Sequence, residues 1–289
     1  MTWEVRAGDA ERLSRQLAEG ELDLVIGSPP YARKGERYED GERRKWDTKA
    51  WADWMVRVTL ECLRVCSGPV LWVVNSPMHQ RRYEPAVERL IVGLDDAGVA
   101  LETPCIWQKN PGGRRRDYFT DAWEYIVCAK HPGPVPTYNW QSVAQPPKYK
   151  AGGRYRQRDA KGVRRLGNEY PQNKLVLPTN VFYVTVGGGH MGSPLAHQNE
   201  APFPERLIEP FVRVLTNAGD TVCDPFVGSG TTGAVCKRLG RRFVGFDIRP
   251  SQVELARRRI RADAPLLNAL GGPGGHLRFE ISNTESAEV

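Results

Sequence analysis

An apolar run that stops on a rigid turn constrains this chain more than any other feature. Residues 22–26 are almost continuously apolar, and Ser28-Pro29-Pro30-Tyr31 follows at once. A run of strand length with no polar alternation suits a strand buried on both faces, as in a parallel sheet covered by helices. The two prolines set φ at successive residues and remove two backbone donors. The carbonyls around them are held in place with few local donors to satisfy them, between a serine hydroxyl and an aromatic ring. Such a turn suits holding a planar ring by its amine while stacking on its face. The plainer alternative is an ordinary proline-rich turn after a strand.

The flanking segments alternate strand and helix. Residues 3–6 read as a strand, and Gly8-Asp9 opens a helix with Asp9 as N-cap ahead of Leu13 and Leu17. Residues 32–49 carry both signs of charge, and a loop that long beside a site is expected to be a mobile lid. A helix over 51–66, a strand over 70–74 and a helix over 83–94 follow. Strands over 103–108 and 124–129 are expected to pair antiparallel around the basic loop 109–116. The chain is long enough for one large domain or two small ones.

The middle changes character. Between residues 131 and 178, Pro, Gly, Tyr, Lys and Arg dominate. Lys148, Lys150, Arg154, Arg156, Arg158, Lys161, Arg164 and Arg165 crowd one short run, with Tyr149 and Tyr155 among them. Positive charge with interleaved aromatics suits phosphate contact and base stacking, and a formal net charge of +7 agrees with an acidic partner such as nucleic acid. A solvated loop is the alternative. The six cysteines form no C-x-x-C pair and none is spaced with a histidine like a zinc site, so reduced, mostly buried thiols and no metal are expected. No segment reads as a signal core or a membrane span, so a cytoplasmic protein is expected.

The last third is regular again. A helix is expected over 204–215, a strand over 221–223, a helix from 234 to 239, a strand over 242–246 ending on Asp247, and a helix over 252–260. Asp224-Pro225-Phe226-Val227-Gly228-Ser229-Gly230-Thr231-Thr232-Gly233 links the first of these strands to its helix. A glycine-rich turn between strand and helix, with an acid at the end of the next strand, is a nucleotide-cofactor unit. Gly228 and Gly230 let the backbone approach a ligand, and an acid placed like Asp247 can bind ribose hydroxyls. No P-loop with its lysine is present, which disfavours phosphoryl transfer.

Taken together, these motifs resemble the β-group DNA amino-methyltransferases. The stretches DLVIGSPPY, DPFVGSGTTG, GRRFVGFDI, AHQNEAPFPERLIEPFV and IWQKNPGGRRRDYFTDAWEYIVCAK carry the resemblance together with Gly8-Asp9, over residues 3–260. It implies an α/β fold with a Rossmann-like methyltransferase sheet, mostly parallel with one antiparallel hairpin. It implies circular permutation, the catalytic motif preceding the cofactor loop, and a small irregular target-recognition region. The catalytic half would be 1–130, the target-recognition region 131–180, the cofactor half of the same domain 181–262, and a tail 263–289.

The resemblance also implies roles. Ser28, Pro29, Pro30 and Tyr31 would be catalytic: the Ser28 hydroxyl and Pro29 carbonyl accept from the amine, and Tyr31 stacks on the flipped base. S-adenosylmethionine would be bound by Asp9, Phe203, Pro204, Asp224, Pro225, Phe226, Gly228, Ser229, Gly230, Thr231 and Asp247, with His197 less clearly placed. Arg33 and Lys34 would close over the base with Arg37 and Tyr38. Arg114, Arg115, Arg116, Lys148, Arg154, Arg156 and Arg158 would touch duplex DNA. Ser-Pro-Pro-Tyr is commoner in cytosine-N4 enzymes and Asp-Pro-Pro-Tyr in adenine-N6 enzymes, and a serine can also donate to cytosine N3. The implied activity is therefore cytosine-N4 methylation, with adenine-N6 as the alternative. A homodimer, a cognate restriction endonuclease in a restriction-modification pair and a prokaryotic or phage origin go with it. Competing readings are a catalytically inactive DNA-binding relative, a protein-glutamine methyltransferase and a nicotinamide dehydrogenase. The last leaves the Pro-Pro turn unexplained.

Overall fold

The structure is a computed structural model that describes residues 2–33, 46–110, 119–147, 154–169, 175–187, 190–199 and 201–263. In chain order its elements are β1 (Trp3–Ala7), β2 (Leu24–Gly27), α1 (Thr48–Val65), β3 (Val70–Val74), β4 (Met78–His79), β5 (Arg82–Tyr83), α2 (Ala86–Asp96), β6 (Ala100–Leu101), β7 (Cys105–Gln108) and β8 (Trp123–Lys130). There follow β9 (Arg154–Arg158), β10 (Arg164–Glu169), β11 (Val181–Tyr183), α3 (Glu205–Leu215), β12 (Thr221–Asp224), α4 (Thr231–Leu239), β13 (Arg242–Asp247) and α5 (Pro250–Ala262). Short 3-10 turns lie at Ala10–Arg15, Trp140–Val143 and Pro194–Gln198.

One nine-stranded sheet has the order β1-β13-β12-β2-β3-β8-β7-β11, with β6 also on β8. The β1–β13, β13–β12, β12–β2, β2–β3 and β7–β11 pairs are parallel. Strand β8 is antiparallel to β3, β6 and β7, so among the described strands of this sheet it alone runs against the rest. The expected mostly parallel sheet with one antiparallel hairpin is present.

Strand alternation explains why the runs look continuously apolar. Val25, Val70, Trp72 and Val127 enter one core with Trp51, Met55, Val58 and Leu90 of α1 and α2. Their neighbours Leu24, Ile26, Leu71, Val73 and Ile126 point the other way, to a core with Leu207, Phe211, Val235 and Ile260 of α3, α4 and α5. Both faces of each central strand are buried, so neither position tolerates a polar residue. Helix α1 begins where Asp47 accepts from the Lys49 and Ala50 N–H groups at 2.9 Å each. Helix α4 lies between two glycines in the left-handed region, Gly230 (φ 83°) and Gly240 (φ 76°).

Chain order and sheet order diverge between β12 and β2. The β12–α4–β13 crossover moves away from β2 on one side, and β2–α1–β3 moves away from β12 on the other. A crevice outside the carboxyl ends of the strands is expected at such a switch point.

Several expectations are corrected by the tertiary structure. The first helix is a short, kinked 3-10 segment over Ala10–Arg15, though Asp9 caps it as expected, accepting from Glu11 N–H at 3.0 Å. The helix expected from residue 83 starts at Ala86, because Arg82 and Tyr83 pair with Met78 and His79 instead. The segment expected to be irregular contains a hairpin in which Arg158 faces Arg164 and Arg156 faces Leu166. Strand β11 adds a further parallel edge on β7. Among the described residues, no helix is long and apolar enough to cross a membrane.

Candidate active site

The crevice is a cavity of about 720 Å³, a volume within the range of small-molecule sites. The ends of six strands build it. Gly8 and Asp9 follow β1, Ser28 to Tyr31 follow β2, Lys109 follows β7 and Glu124 opens the reversed β8. Pro225 to Ser229 with Thr231 follow β12, and Asp247 to Arg249 end β13.

The Pro-Pro turn is pinned from three directions. Ser28 Oγ donates to the Val73 carbonyl of β3 at 2.9 Å. The indole N–H of Trp51, fully buried in α1, donates to the Pro30 carbonyl at 2.7 Å. The Tyr31 hydroxyl donates to Glu124 Oε2 at 2.6 Å, and Lys109 Nζ pairs with Glu124 Oε1. Burial and the Glu124 carboxylate beside it push the Tyr31 hydroxyl well above its ordinary pKa, so it stays a neutral donor. These contacts divide the turn's acceptors. The Pro30 carbonyl is taken, whereas no donor among the described residues meets the Pro29 carbonyl. The Ser28 hydroxyl lies 2.9 Å from the Val73 carbonyl and 3.4 Å from the Tyr31 hydroxyl, and when it donates to Val73 its oxygen is left to accept at the cavity it lines.

The glycine-rich turn follows the same logic. Gly228 has φ 46° and its N–H donates to Asp247 Oδ2 at 3.2 Å. A Cβ there would lie 2.8 Å from the Asn199 side-chain nitrogen, so only glycine lets this backbone reach the cavity wall. The other Asp247 oxygen accepts from Arg249 N–H at 3.0 Å and from its Nε at 3.2 Å. Behind the turn, buried Arg259 donates to Ser229 Oγ at 3.0 Å, Thr231 Oγ1 at 2.8 Å and Glu205 Oε1 at 2.6 Å. Opposite, Trp46 and Trp54 pack in a tilted arrangement with ring centroids 4.1 Å apart, and Trp54 meets Phe226 edge-on at 5.7 Å.

Of the sequence-derived candidates, the cavity gathers Ser28, Pro29, Pro30, Tyr31, Asp9, Phe203, Pro225, Phe226, Gly228, Ser229, Thr231 and Asp247, with His197. Asp224, Gly230 and Pro204 do not line it. Asp224 turns inward, accepting from Phe226 N–H at 3.0 Å and from Thr232 Oγ1 at 2.7 Å. Gly230 packs on Ala256, where a Cβ would lie 3.0 Å from its Cα, and Pro204 caps α3. Arg33 does not line the cavity either, because its guanidinium pairs with Glu84 at 2.8 Å. Arg154, Arg156 and Arg158 are exposed along β9, away from the cavity. Lys34, Arg37, Tyr38, Arg114, Arg115, Arg116 and Lys148 lie outside the described residues, as does most of the expected lid.

Sequence reasoning missed Glu124, Lys109, Trp46, Trp54 and Asn199. A signal existed for the first two. Trp107 and Glu124 face each other across β7 and β8, so Lys109, two residues on, shares their side of the sheet.

A family model described as DNA methylase, covering N6 and N4 methyltransferases, matches residues 22–258. The chain belongs to this DNA methylase family, and it is a DNA methyltransferase of the N6/N4 type. It is 25% identical to DNA adenine methyltransferase YhdJ of Escherichia coli over 255 residues, covering 88% of this chain and 81% of that one. It is 26% identical to the orphan methyltransferase M.BamHII of Bacillus amyloliquefaciens over 276 residues, covering 92% and 98%. Its fold is similar to PvuII DNA methyltransferase (cytosine-N4-specific), with a TM-score of 0.66, 19% identity and coverage of 90% and 86%. It is similar also to TTHA0409 of Thermus thermophilus complexed with S-adenosyl-L-methionine, with a TM-score of 0.61, 24% identity and coverage of 91% and 95%.

Proposed function

We propose that this methyltransferase moves a methyl group from S-adenosylmethionine to the exocyclic N4 of cytosine in duplex DNA, after flipping the base from the helix. The observation that carries the reading is the pair of fixed acceptors at the turn, the Ser28 hydroxyl with its hydrogen spent on Val73 and the Pro29 carbonyl. An exocyclic amine is a poor nucleophile because its lone pair is delocalised into the ring. Two acceptors on its two hydrogens favour a pyramidal nitrogen with the lone pair aimed into the cavity. They also stabilise positive charge developing on that nitrogen, the converse of an oxyanion hole. The rest of the acceleration comes from alignment in a closed site. Tyr31, fixed by Glu124, offers its ring for stacking.

The cofactor fits the donors and acceptors present. When bound, it supplies an electrophilic methyl carbon. The Gly228–Ser229 backbone and Thr231 would hold its amino-acid end, Asp247 the ribose hydroxyls, Asp9 the adenine amine, and Phe203 and Phe226 the apolar faces. The neighbour complexed with S-adenosyl-L-methionine supports this assignment. The motif order along the chain supports a permuted domain with 1–130 and 181–262 as its two halves. The hairpin of β9 and β10 has the shape of a two-stranded ribbon that enters a major groove. Arg158 directly opposite Arg164 would repel without an anion between them, so target recognition is assigned to 131–180.

Serine in the first motif position and the cytosine-N4 neighbour support cytosine. The 25% identical relative named as an adenine methyltransferase keeps adenine-N6 as the second reading. The test is to methylate DNA with the pure protein, digest it and identify the modified nucleoside by mass spectrometry. N4-methylcytosine is expected, and N6-methyladenine alone overturns the choice of base.

A further inference from the structure

We propose that Lys109 donates to the ring nitrogen beside the target amine, and that Glu124 is the positioning residue that holds it there. The proposal rests on the amine-methylation reading above. Cytosine N3 and adenine N1 are acceptors next to the amino-bearing carbon, whereas thymine N3 and guanine N1 carry hydrogens. A donor beside the two amine acceptors complements the ring acceptor that cytosine and adenine place next to their amine. The obvious donors around the turn are spent. Ser28 gives its hydrogen to Val73 and Tyr31 gives its hydrogen to Glu124. The indoles of Trp51 and Trp107 are given to the Pro30 and Val184 carbonyls.

Lys109 is different. Its ammonium has three hydrogens, and Glu124 takes one of them. It lines the same cavity wall as Ser28, and a continuous contact chain ties the two. Lys109 Nζ meets Glu124, Glu124 meets the Tyr31 hydroxyl at 2.6 Å, and that hydroxyl lies 3.4 Å from Ser28 Oγ. The ammonium lies 5.6 Å from the Trp107 ring centroid and its side chain is 20% exposed, so its position is fixed and largely shielded. Glu124 neutralises it. An isolated cation would oppose positive charge developing on the amine, whereas a neutral pair can donate without that cost.

The test uses the full chain and a duplex containing the sequence found methylated in a host that expresses it. The target base is replaced by 3-deazacytosine, or by 1-deazaadenine if the host DNA contains N6-methyladenine, which removes only the ring acceptor. Single-turnover methylation is measured for wild type and Lys109→Met, with cofactor affinity as the folding control. Wild type is expected to lose about 10- to 100-fold on the analogue, the range for a hydrogen bond to a charged donor. Lys109→Met is expected to lose a similar factor on the natural base and little more on the analogue, and Lys109→Arg to restore the discrimination. Losses that multiply overturn the proposal. So does a wild-type enzyme that methylates both bases equally, a result that needs no variant. Absence of methylation on the natural duplex by wild type overturns the parent reading instead.

Discussion

Asp224 sits between the two halves of the site, and its replacement by asparagine should change how stability depends on pH. It is 1% exposed at the end of β12, and burial pushes its carboxyl up from an ordinary 3.8 to about 7. Asp247 adds to the rise, and the Thr232 hydroxyl and Phe226 N–H oppose it. A carboxyl that holds its proton more tightly when folded contributes stability below its unfolded pKa and loses it as pH rises through the folded value. The window therefore runs from about pH 4 to about pH 7. A shift of about three pKa units corresponds to about 4 kcal/mol in all, and roughly half or more of it falls between pH 5 and pH 8. An asparagine at this position would keep the shape and an acceptor for the Phe226 N–H but could not ionise. Urea unfolding of both proteins at pH 5, 6, 7 and 8 isolates this group, because every other titration is shared. The stability of Asp224→Asn relative to wild type should increase by that amount across the range. Parallel curves would show that the folded carboxyl is ionised throughout and would refute the argument.

Three further outcomes follow from the geometry. Ser28→Ala should lower kcat by about 10²- to 10³-fold, the range for a transition-state hydrogen-bonding group, while cofactor affinity measured by calorimetry is unchanged. Gly228→Ala should weaken cofactor binding by about tenfold, since its φ of 46° strains any residue with a Cβ and that Cβ, 2.8 Å from the Asn199 side chain, would push Asn199 into the cavity; unaltered affinity would remove the loop from the cofactor site. Arg156→Ala should weaken duplex binding and reduce the slope of log affinity against log salt by about one, in a titration from low to moderate ionic strength.

Much of the fold was legible along the chain. The β3 run reads correctly to the residue because every position from Val70 to Val74 is buried, leaving no alternation to blur its ends. Asp9 as a cap and Asp247 at a strand end follow from local rules of φ and side-chain reach. The β9–β10 hairpin was legible in principle. Arg154, Arg156 and Arg158 recur with period two, and Asp159 bonds to the Lys161 and Val163 N–H groups at a turn where Gly162 has φ 78°. Composition concealed it, since a basic run reads as loop whatever its period.

What the sequence determines by itself is local: where strands end, which turns need glycine or proline, and which residue types gather in each motif. Those constraints act within a few residues, through backbone sterics and hydrogen bonds to near neighbours, and they suffice to recognise the class of chemistry. The use of each polar atom was decided only when distant segments met. Ser28 loses its hydrogen to a carbonyl 45 residues away, Tyr31 bonds a carboxylate 93 residues away, and Arg33 is drawn off to Glu84, 51 residues on. Asp224 faces inward because Thr232 and Phe226 N–H hold it there. A hydrogen bond is satisfied by whichever partner packing brings within reach, and that partner is set by the order of strands in the sheet rather than by the order of residues in the chain.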